Sequence, residues 1–242
     1  MFTRYRTQGI ILGKVDRSES DRLFTIYTKD YGIINLLARS ERKIKSKLRS
    51  GLELFYLSEI EFIQGKAQKT LTDAILVNKF DVLRKDIERL KVSYQVSNLM
   101  DKLLKGQEPD KEIWRLLNEV LEKLNSIHLK NLKINLVYYY FLWNLISILG
   151  YRIDLYDCFV CQKKIILGKV FIIPKDGGLV CENCKKKFKN SEEIEPNLIK
   201  ILRMFLEKDW ATLNKLRLDE NILKDIKDIS RHYLSGILEK TQ

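Results

Sequence analysis

The sequence predicts a multidomain α+β protein, in which an N-terminal barrel of five β-strands precedes an all-helical domain that carries an inserted cysteine module. The first observation behind this class is that the first eighty residues hold short β-branched or alternating runs separated by turn signals. From about Asp81 the apolar residues recur at helical spacing, and four cysteines fall in two close pairs inside that helical part. We therefore predict domains at residues 1–80 and 81–242, with the module inserted at about residues 155–190.

The five predicted strands cover residues 7–15, 23–28, 32–38, 54–64 and 69–77. Turn signals such as Asp30-Tyr31-Gly32 and Ser50-Gly51 separate them. Five strands in about eighty residues suit a small closed sheet such as an OB-type barrel. An SH3-like barrel would give a similar pattern, so the sequence alone leaves both topologies open.

Helical segments are predicted on both sides of the cysteine module. The segment from about Leu129 to Leu149 is apolar on almost all sides and stops at Gly150, a residue type common at helix C-termini. A helix of this kind belongs at the centre of a bundle. Because the helical pattern returns after Pro196, the module interrupts the bundle and does not follow it.

Nothing in the sequence indicates a membrane partner. No apolar signal-peptide core follows the first six residues. The most apolar stretch, residues 136–151, is interrupted by Asn144 and Ser147 and is too short to span a bilayer. We therefore expect a cytoplasmic, nucleoid-associated protein.

The cysteines form two CxxC pairs separated by 19 residues, a spacing typical of zinc sites: Cys158, Cys161, Cys181 and Cys184. The two-residue gap lets both thiolates of a pair reach one ion from a tight turn, and four thiolates leave no position for water or substrate. We therefore predict one structural Zn²⁺ as the cofactor. A disulfide is the first alternative, but nothing suggests secretion. A redox CxxC is the second, but two matched pairs would then be a coincidence.

The charge balance favours a polyanionic partner. The chain has 44 basic and 32 acidic residues and a formal net charge of +12. A generally lysine-rich proteome would give the same balance and remains an alternative. The densest cluster lies between the third and fourth predicted strands, where an OB-type fold presents its binding edge. Its six basic residues are the candidate nucleic-acid contacts: Arg39, Arg42, Lys43, Lys45, Lys47 and Arg49.

A second basic cluster follows the last cysteine and is either a further nucleic-acid contact or the solvated rim of the module: Lys185, Lys186, Lys187 and Lys189.

No Walker loop, HExxH, GxSxG or dinucleotide motif is found, so we expect no enzymatic activity. Asp16, Glu19 and Asp21 are the one candidate for a Mg²⁺ site. Interleaved with arginines and serines, they suit a salt-bridged turn better.

Several motifs, in order along the chain, resemble those of the bacterial RecO recombination mediators. They are Gly9-Ile10-Ile11-Leu12, Ser18-Glu19-Ser20-Asp21-Arg22-Leu23, Thr28, Gly32, Ala38-Arg39-Ser40, Ser46-Lys47-Leu48, Tyr140-Phe141-Leu142-Trp143, Leu149-Gly150-Tyr151-Arg152, Cys158 to Cys161, Gly177-Gly178-Leu179-Val180-Cys181 and Arg231-His232-Tyr233-Leu234. The resemblance spans the whole chain. The sequence departs from the family pattern at Ile153, where proline is usual, and at Gln162, where glycine commonly follows the first cysteine pair.

The resemblance implies an OB-fold, a helical domain and an inserted zinc module, in agreement with the residue patterns. It also implies that the protein binds single- and double-stranded DNA, anneals complementary strands and helps load recombinase on strands coated by single-strand binding protein. RecR is the usual partner in that role, with RecF in some pathways. Two other functions stay open, namely an adaptor that scaffolds proteins with incidental DNA contact, and an RNA-binding OB protein.

Overall fold

Five strands close into a barrel in the N-terminal part of the computed structural model, which describes residues 3–240 except 67, 105–107, 130, 167, 174–177 and 189–190. The strands are β1 (Arg4–Asp16), β2 (Arg22–Thr28), β3 (Gly32–Ala38), β4 (Leu57–Gln64) and β5 (Lys69–Asn78). They close in the order β1-β2-β3-β5-β4, and β4 pairs back onto β1. The β3–β5 pair is parallel and the other pairs are antiparallel. This is the strand order of an OB-type barrel, so the predicted OB topology is confirmed over the SH3-like one.

The predicted fourth strand begins three residues too early. Phe55 adopts a left-handed backbone with a φ of 63°, which no strand accommodates. The backbone there crosses over β1 instead, since Phe55 N–H donates to Ile11 O at 2.8 Å and Ile11 N–H donates to Tyr56 O at 3.1 Å. The sequence pattern of a strand therefore extends over residues 54–56, but their backbone hydrogen bonds to Ile11 keep them out of the pairing of β4 with its neighbours.

Alternate residues of the strands point inward and form the barrel core. The largest contributions come from β-branched, leucine and aromatic side chains, which are Ile11, Phe24, Ile26, Leu36, Ile60, Phe62 and Leu71. Phe24 and Phe62 lie in this core, and Tyr5 and Tyr56 pack against it. A short 3₁₀ helix, Lys47–Gly51, packs on β5, and only glycine fits at its end because a Cβ on Gly51 would lie 2.5 Å from Ala74 O.

Three helices follow the barrel and pack on it: α1 (Asp81–Arg84), α2 (Ile87–Leu103) and α3 (Lys111–Asn125). Asp110 caps α3 by accepting hydrogen bonds from the N–H groups of Glu112 and Ile113. Ser97 of α2 donates its hydroxyl to Leu12 O in β1 at 2.9 Å. Barrel and helices together form one compact unit, Met1–Leu129. The predicted domain boundary after residue 80 stays a prediction.

The second compact unit, Lys130–Gln242, holds the other helices and the cysteine module. The helices are α4 (Asn131–Ile148), α5 (Glu182–Lys185), α6 (Pro196–Leu206), α7 (Trp210–Leu213) and α8 (Glu220–Lys240). The apolar helix α4 is buried along residues 140–146, and the chain turns at Gly150 with a φ of 89°. Trp143 of α4 stacks on Tyr233 of α8 with ring centroids 5.1 Å apart. None of the helices in the described ranges is long and apolar enough to cross a membrane.

The cysteine module folds around a small sheet between α4 and α6. Its strands are β6 (Asp154–Cys158), β7 (Val170–Ile173), β8 (Gly178–Cys181) and β9 (Glu192–Glu193), in the order β6-β8-β7-β9. The β6–β8 pair is parallel, and β7 lies antiparallel to both of its neighbours. Gly178 begins β8, whereas Gly177 lies outside the described residues.

Candidate metal centre and nucleic-acid interface

The four cysteines converge because two of them end neighbouring strands. Cys158 is the last residue of β6 and Cys181 is the last residue of β8, and these strands pair in parallel. Cys161 lies in the turn after β6, and Cys184 lies in α5, directly after β8. The four sulfur atoms all lie within 4.8 Å of one another. The structure thus brings together all four predicted ligands.

The spacing of the sulfurs suits a tetrahedral metal ion. The Sγ atoms of Cys161 and Cys181 are 3.9 Å apart. Zn–S bonds of about 2.3 Å in a tetrahedron separate neighbouring sulfurs by about 3.8 Å. The same distance is far too long for a disulfide, whose S–S bond is about 2.05 Å, and all four cysteines are free thiols. The donor set therefore fits a closed four-sulfur metal site.

The electrostatics of the cluster also suit a cation. Burial raises the pKa of the Cys158 thiol, but hydrogen bonds from backbone N–H groups, including those of Cys161 and Cys181, lower that pKa to about 6. Hydrogen bonding with the Cys181 thiol, together with burial, raises the pKa of Cys184 to about 12. Thiolates this close repel one another, so the four can lose their protons together only around a positive ion.

The first cysteine turn contains a strained residue. Gln162 has a φ of 57°, in the left-handed region that glycine favours. Its N–H donates to Cys158 O at 2.9 Å, which closes the turn around the first cysteine pair. The position is the one at which the sequence departs from the glycine common in the resembling family. At Gln162 the backbone thus adopts the left-handed conformation that glycine would adopt, although the residue has a large side chain.

The second candidate site is the cationic loop, residues 39–49, which leaves the barrel after β3. All six predicted contact residues are exposed: Arg39, Arg42, Lys43, Lys45, Lys47 and Arg49. The loop is held at both ends. At the first end, Ser40 has a φ of 55° and donates its N–H to Asp21 Oδ1 at 2.8 Å. At the other end, Ser58 donates its hydroxyl to Gly51 O at 2.6 Å.

Arg42 differs from the other five cations because it binds the neighbouring turn. Its Nη1 donates to Ser18 O at 2.9 Å and lies 3.4 Å from Asp16 Oδ2. Its N–H also donates to Ser20 O at 3.1 Å. Among the described residues, no carboxylate lies within ion-pair distance of the remaining five basic side chains. Arg42 therefore positions the loop. The other five form no close ion pair among the described residues, and Arg39 and Lys43 act on Asp21 only through longer-range charge.

The one acid of the loop is hidden from its surface. Glu41 is only 1% exposed, and its Oε2 lies 3.2 Å from Arg22 Nη1. By sequence, Glu41 reduces the net positive charge of the loop. In the fold, however, its carboxylate faces Arg22 of β2 and not the loop surface. The exposed surface of the loop is consequently more basic than its composition indicates.

The turn that carries Asp16, Glu19 and Asp21 was the candidate Mg²⁺ site, but Asp16 and Asp21 are bound by an arginine and a backbone N–H group. Asp16 accepts a hydrogen bond from Arg22 Nε at 2.7 Å, which holds the pKa of Asp16 below its usual range. The hydrogen bond from Ser40 N–H lowers the pKa of Asp21 in the same way. Within the described ranges, only the cysteine cluster has the geometry of a metal site. The salt-bridged turn is the interpretation that these contacts favour.

The second basic cluster surrounds α5. Lys185, Lys186 and Lys187 are exposed, and Lys189 lies outside the described residues. Lys185 Nζ lies 3.9 Å from the centre of the Phe171 ring, so this lysine is bound to its own module through a cation–π contact.

Comparison with known proteins covers both units. A family model described as the recombination protein O N-terminal domain matches residues 1–80, and one described as the recombination protein O C-terminal domain matches residues 84–242. The chain belongs to the RecO family. The RecO resemblance of the sequence motifs is thereby confirmed.

Curated relatives match nearly the whole chain. A protein named DNA repair protein RecO from Dehalococcoides mccartyi is 29% identical over 236 residues, which cover 98% of this chain and 91% of the relative. A RecO protein of the same name from Roseiflexus sp. is 28% identical and covers 98% of this chain and 82% of its own length. Another, from Caldicellulosiruptor bescii, is 28% identical with coverages of 97% and 93%.

The sequence patterns did not lead to two features of this RecO-family chain. The pairing of Arg42 with Asp16 joins residues 26 positions apart in the sequence, and no local pattern marks it. Ile44 is 92% exposed between Lys43 and Lys45. The position of an apolar residue inside a basic run was a signal for Ile44, but only the charges of that run were used to predict the contacts.

Proposed function

We propose that this chain is a DNA repair and recombination mediator that acts without catalysing a covalent step. In this role it binds single- and double-stranded DNA, anneals complementary strands and helps load recombinase on strands coated by single-strand binding protein. Membership of the RecO family and the name of the curated relatives, DNA repair protein, support the role. The domain at residues 1–80 would be the DNA-binding part.

The observation that carries the proposal is the cationic loop. Five basic side chains without a carboxylate partner stand on a loop that is held at both ends of its backbone. Long cations that flank small or apolar residues contact phosphates and do not read base edges in a consistent way. Binding without sequence preference is the behaviour that an annealing protein needs.

The charge of the loop gives annealing a physical basis. Two strands that approach each other repel through their phosphates, and a cationic surface that binds both lowers this repulsion and raises their local concentration. No bond is made or broken in the process, so neither ATP nor a catalytic metal is required. The engagement of Asp16 and Asp21 by arginines and backbone N–H groups supports this non-enzymatic role.

The cofactor in this proposal is one structural zinc ion held by Cys158, Cys161, Cys181 and Cys184. Four sulfur donors leave no open position, so such an ion supplies folding energy and no chemistry. Among its described residues, the module packs a small apolar cluster that includes Phe171, Ile173 and Val180. A cluster of this size supports little structure without a metal.

RecR and single-strand binding protein are proposed as protein partners, with RecF in some pathways. These partners rest on family membership, and no particular residue is assigned to them. A cytoplasmic, nucleoid-associated location follows from the same role.

A strand-annealing assay tests the proposal. The purified protein should accelerate pairing of complementary oligonucleotides in EDTA and without nucleotide, and filter binding should show retention of both single strands and duplex. A requirement for ATP or Mg²⁺, or cleavage of the strands, would reject the non-enzymatic role. Stronger binding to RNA than to DNA would favour an RNA-binding protein, and absence of binding to either would favour an adaptor.

A further inference from the structure

An isoleucine occupies the tip of the cationic loop. Ile44 is 92% exposed, whereas the other apolar residue of the loop, Leu48, packs against the barrel core. Isolated apolar residues on a surface are common and need no explanation. Ile44 is unusual because its chain neighbours, Lys43 and Lys45, are both exposed cations.

The tip is built as an ordered pair of turns. Lys43 N–H donates to Ser40 O at 3.2 Å, and Ser46 N–H donates to Lys43 O at 3.0 Å. Arg42 ties the first turn to Ser18 and Asp16. The turns hold Ile44 outward, away from the barrel core, although the loop could bury an apolar side chain, as Leu48 shows.

The surroundings define what Ile44 can bind. The charge of the loop selects a polyanion, and an apolar side chain among these cations fits a polyanion that has accessible apolar faces. Unpaired bases provide such faces next to phosphates, whereas the bases of a duplex are stacked and leave mainly groove edges. A single strand is therefore the occupant that satisfies both the charge and the apolar side chain.

We infer that Ile44 packs against unpaired bases while the flanking lysines bind phosphates, and that this contact favours single strands over duplex. The inference rests on the proposed function, because it assigns a role to one residue within that DNA-binding loop. Ile44 is thus a specificity residue of the loop, whereas the cations supply affinity that is independent of strandedness.

The test compares three variants on two DNA forms. Ile44→Ala removes most of the apolar side chain, Ile44→Leu retains it, and Ile127→Ala is a matched control at an isoleucine that is 72% exposed in the turn after α3. Affinities for an unstructured single strand and for a duplex of equal length are measured by fluorescence anisotropy at several salt concentrations. Thermal melting checks that each variant is folded.

Ile44→Ala should bind the single strand about threefold to tenfold more weakly than wild type, as expected for partial loss of one apolar contact. Its duplex affinity and its salt slopes should stay unchanged, because no phosphate contact is lost. Ile44→Leu and Ile127→Ala should behave as wild type. These results together would support the contact with bases.

The outcomes separate the inference from the proposed function. Wild-type affinity of Ile44→Ala for single strands, or an equal loss on both DNA forms, would overturn the inference and leave the DNA-binding role intact. Failure of the wild-type protein to bind either DNA form would reject the proposed function itself. Binding of wild type, but not of Ile44→Ala, to vesicles of phosphatidylglycerol in the absence of DNA binding would identify a lipid surface as the occupant and overturn the assignment to bases.

Discussion

Arg42 Nη1 lies 3.4 Å from Asp16 Oδ2, so an acid at the end of β1 holds one cation of the loop that follows β3. The same carboxylate accepts a hydrogen bond from Arg22, whose guanidinium also faces the buried Glu41. A small ion network therefore positions the loop from inside, while five further cations point to solvent.

The cationic loop should supply much of the DNA affinity. Replacement of Arg39, Arg42, Lys43 and Lys45 together by alanine should weaken binding to every sequence, and the single-strand salt slope should become shallower by up to about 3, at about 0.7 per phosphate contact. The triple variant that keeps Arg42 should lose nearly as much, because Arg42 is bound to Asp16. Titrations at several salt concentrations measure both quantities.

A charge-matched control for the loop is available in the second unit. Lys200, Lys224 and Lys227 are exposed, and their replacement by alanine removes as many charges as the triple loop variant. This control should keep the wild-type salt slope, and both triple variants should fold because exposed charges contribute little to stability. Wild-type affinity and slope in the loop variants would place DNA elsewhere, with Lys185, Lys186 and Lys187 as the next candidates.

Asp21→Asn should loosen the first end of the cationic loop in a pH-dependent way. The hydrogen bond from Ser40 N–H lowers the pKa of Asp21 below its usual 3.8, so its stabilising effect is complete above that value and is lost as the pH falls through the lowered pKa. Urea unfolding should therefore show the variant to be less stable than wild type at neutral pH. The difference should shrink as the pH falls below 3.8; a constant difference would contradict the assignment.

Arg89 should be a strong stabilising residue of the first unit. This buried side chain of α2 donates to the carbonyl oxygens of Leu124, Ser126 and Leu129 at 2.5, 2.7 and 3.1 Å. Arg89→Met leaves those acceptors unpaired and should lower the free energy of unfolding by about 3 kcal/mol in urea titration.

A control for Arg89 lies on the same helix. Lys91 forms an exposed ion pair with Glu88, so Lys91→Met should cost under about 1 kcal/mol. Equal losses of unfolding free energy in both variants would argue against a special role for Arg89.

The protein should bind one zinc ion through its four cysteines. Metal analysis of protein purified without chelator should give one zinc per chain, and replacing Cys158 by serine should abolish it. Hydrogen exchange should then rise first between Asp157 and Phe188, because metal binding energy is folding energy in so small a module. The helices α4 and α8 should change less, since they share their own packed contacts. A metal-free preparation with a protected module would contradict the proposal.

Gln162→Gly should stabilise the first cysteine turn. A residue other than glycine pays about 1 kcal/mol at a left-handed φ such as the 57° found here. The variant should therefore release zinc to a competing chelator more slowly than wild type. Lys163→Gly is the matched control, because this neighbour is exposed and has no positive φ, so glycine there adds only flexibility. Faster release from Gln162→Gly would show that the side chain matters more than the backbone.

Local patterns sufficed for much of this protein. The two-residue gaps and the 19-residue separation identified the four sulfurs that converge, since each CxxC pair forms its own turn. Residue periodicity distinguished strands from helices on either side of about residue 80. These features depend on residues within a few positions of one another, where the backbone geometry leaves few alternatives.

Only the tertiary structure decided the surface of the cationic loop and the closure of the barrel. The parallel pairing of β3 with β5, the burial of Glu41 against Arg22 and the capture of Arg42 by Asp16 all join residues distant in sequence. The composition of a segment gives the number of its charged side chains, but only the fold determines which of them form ion pairs. Ile44 illustrates the same point, because the sequence alone does not distinguish an isoleucine that packs on the core from one that two turns hold in solvent.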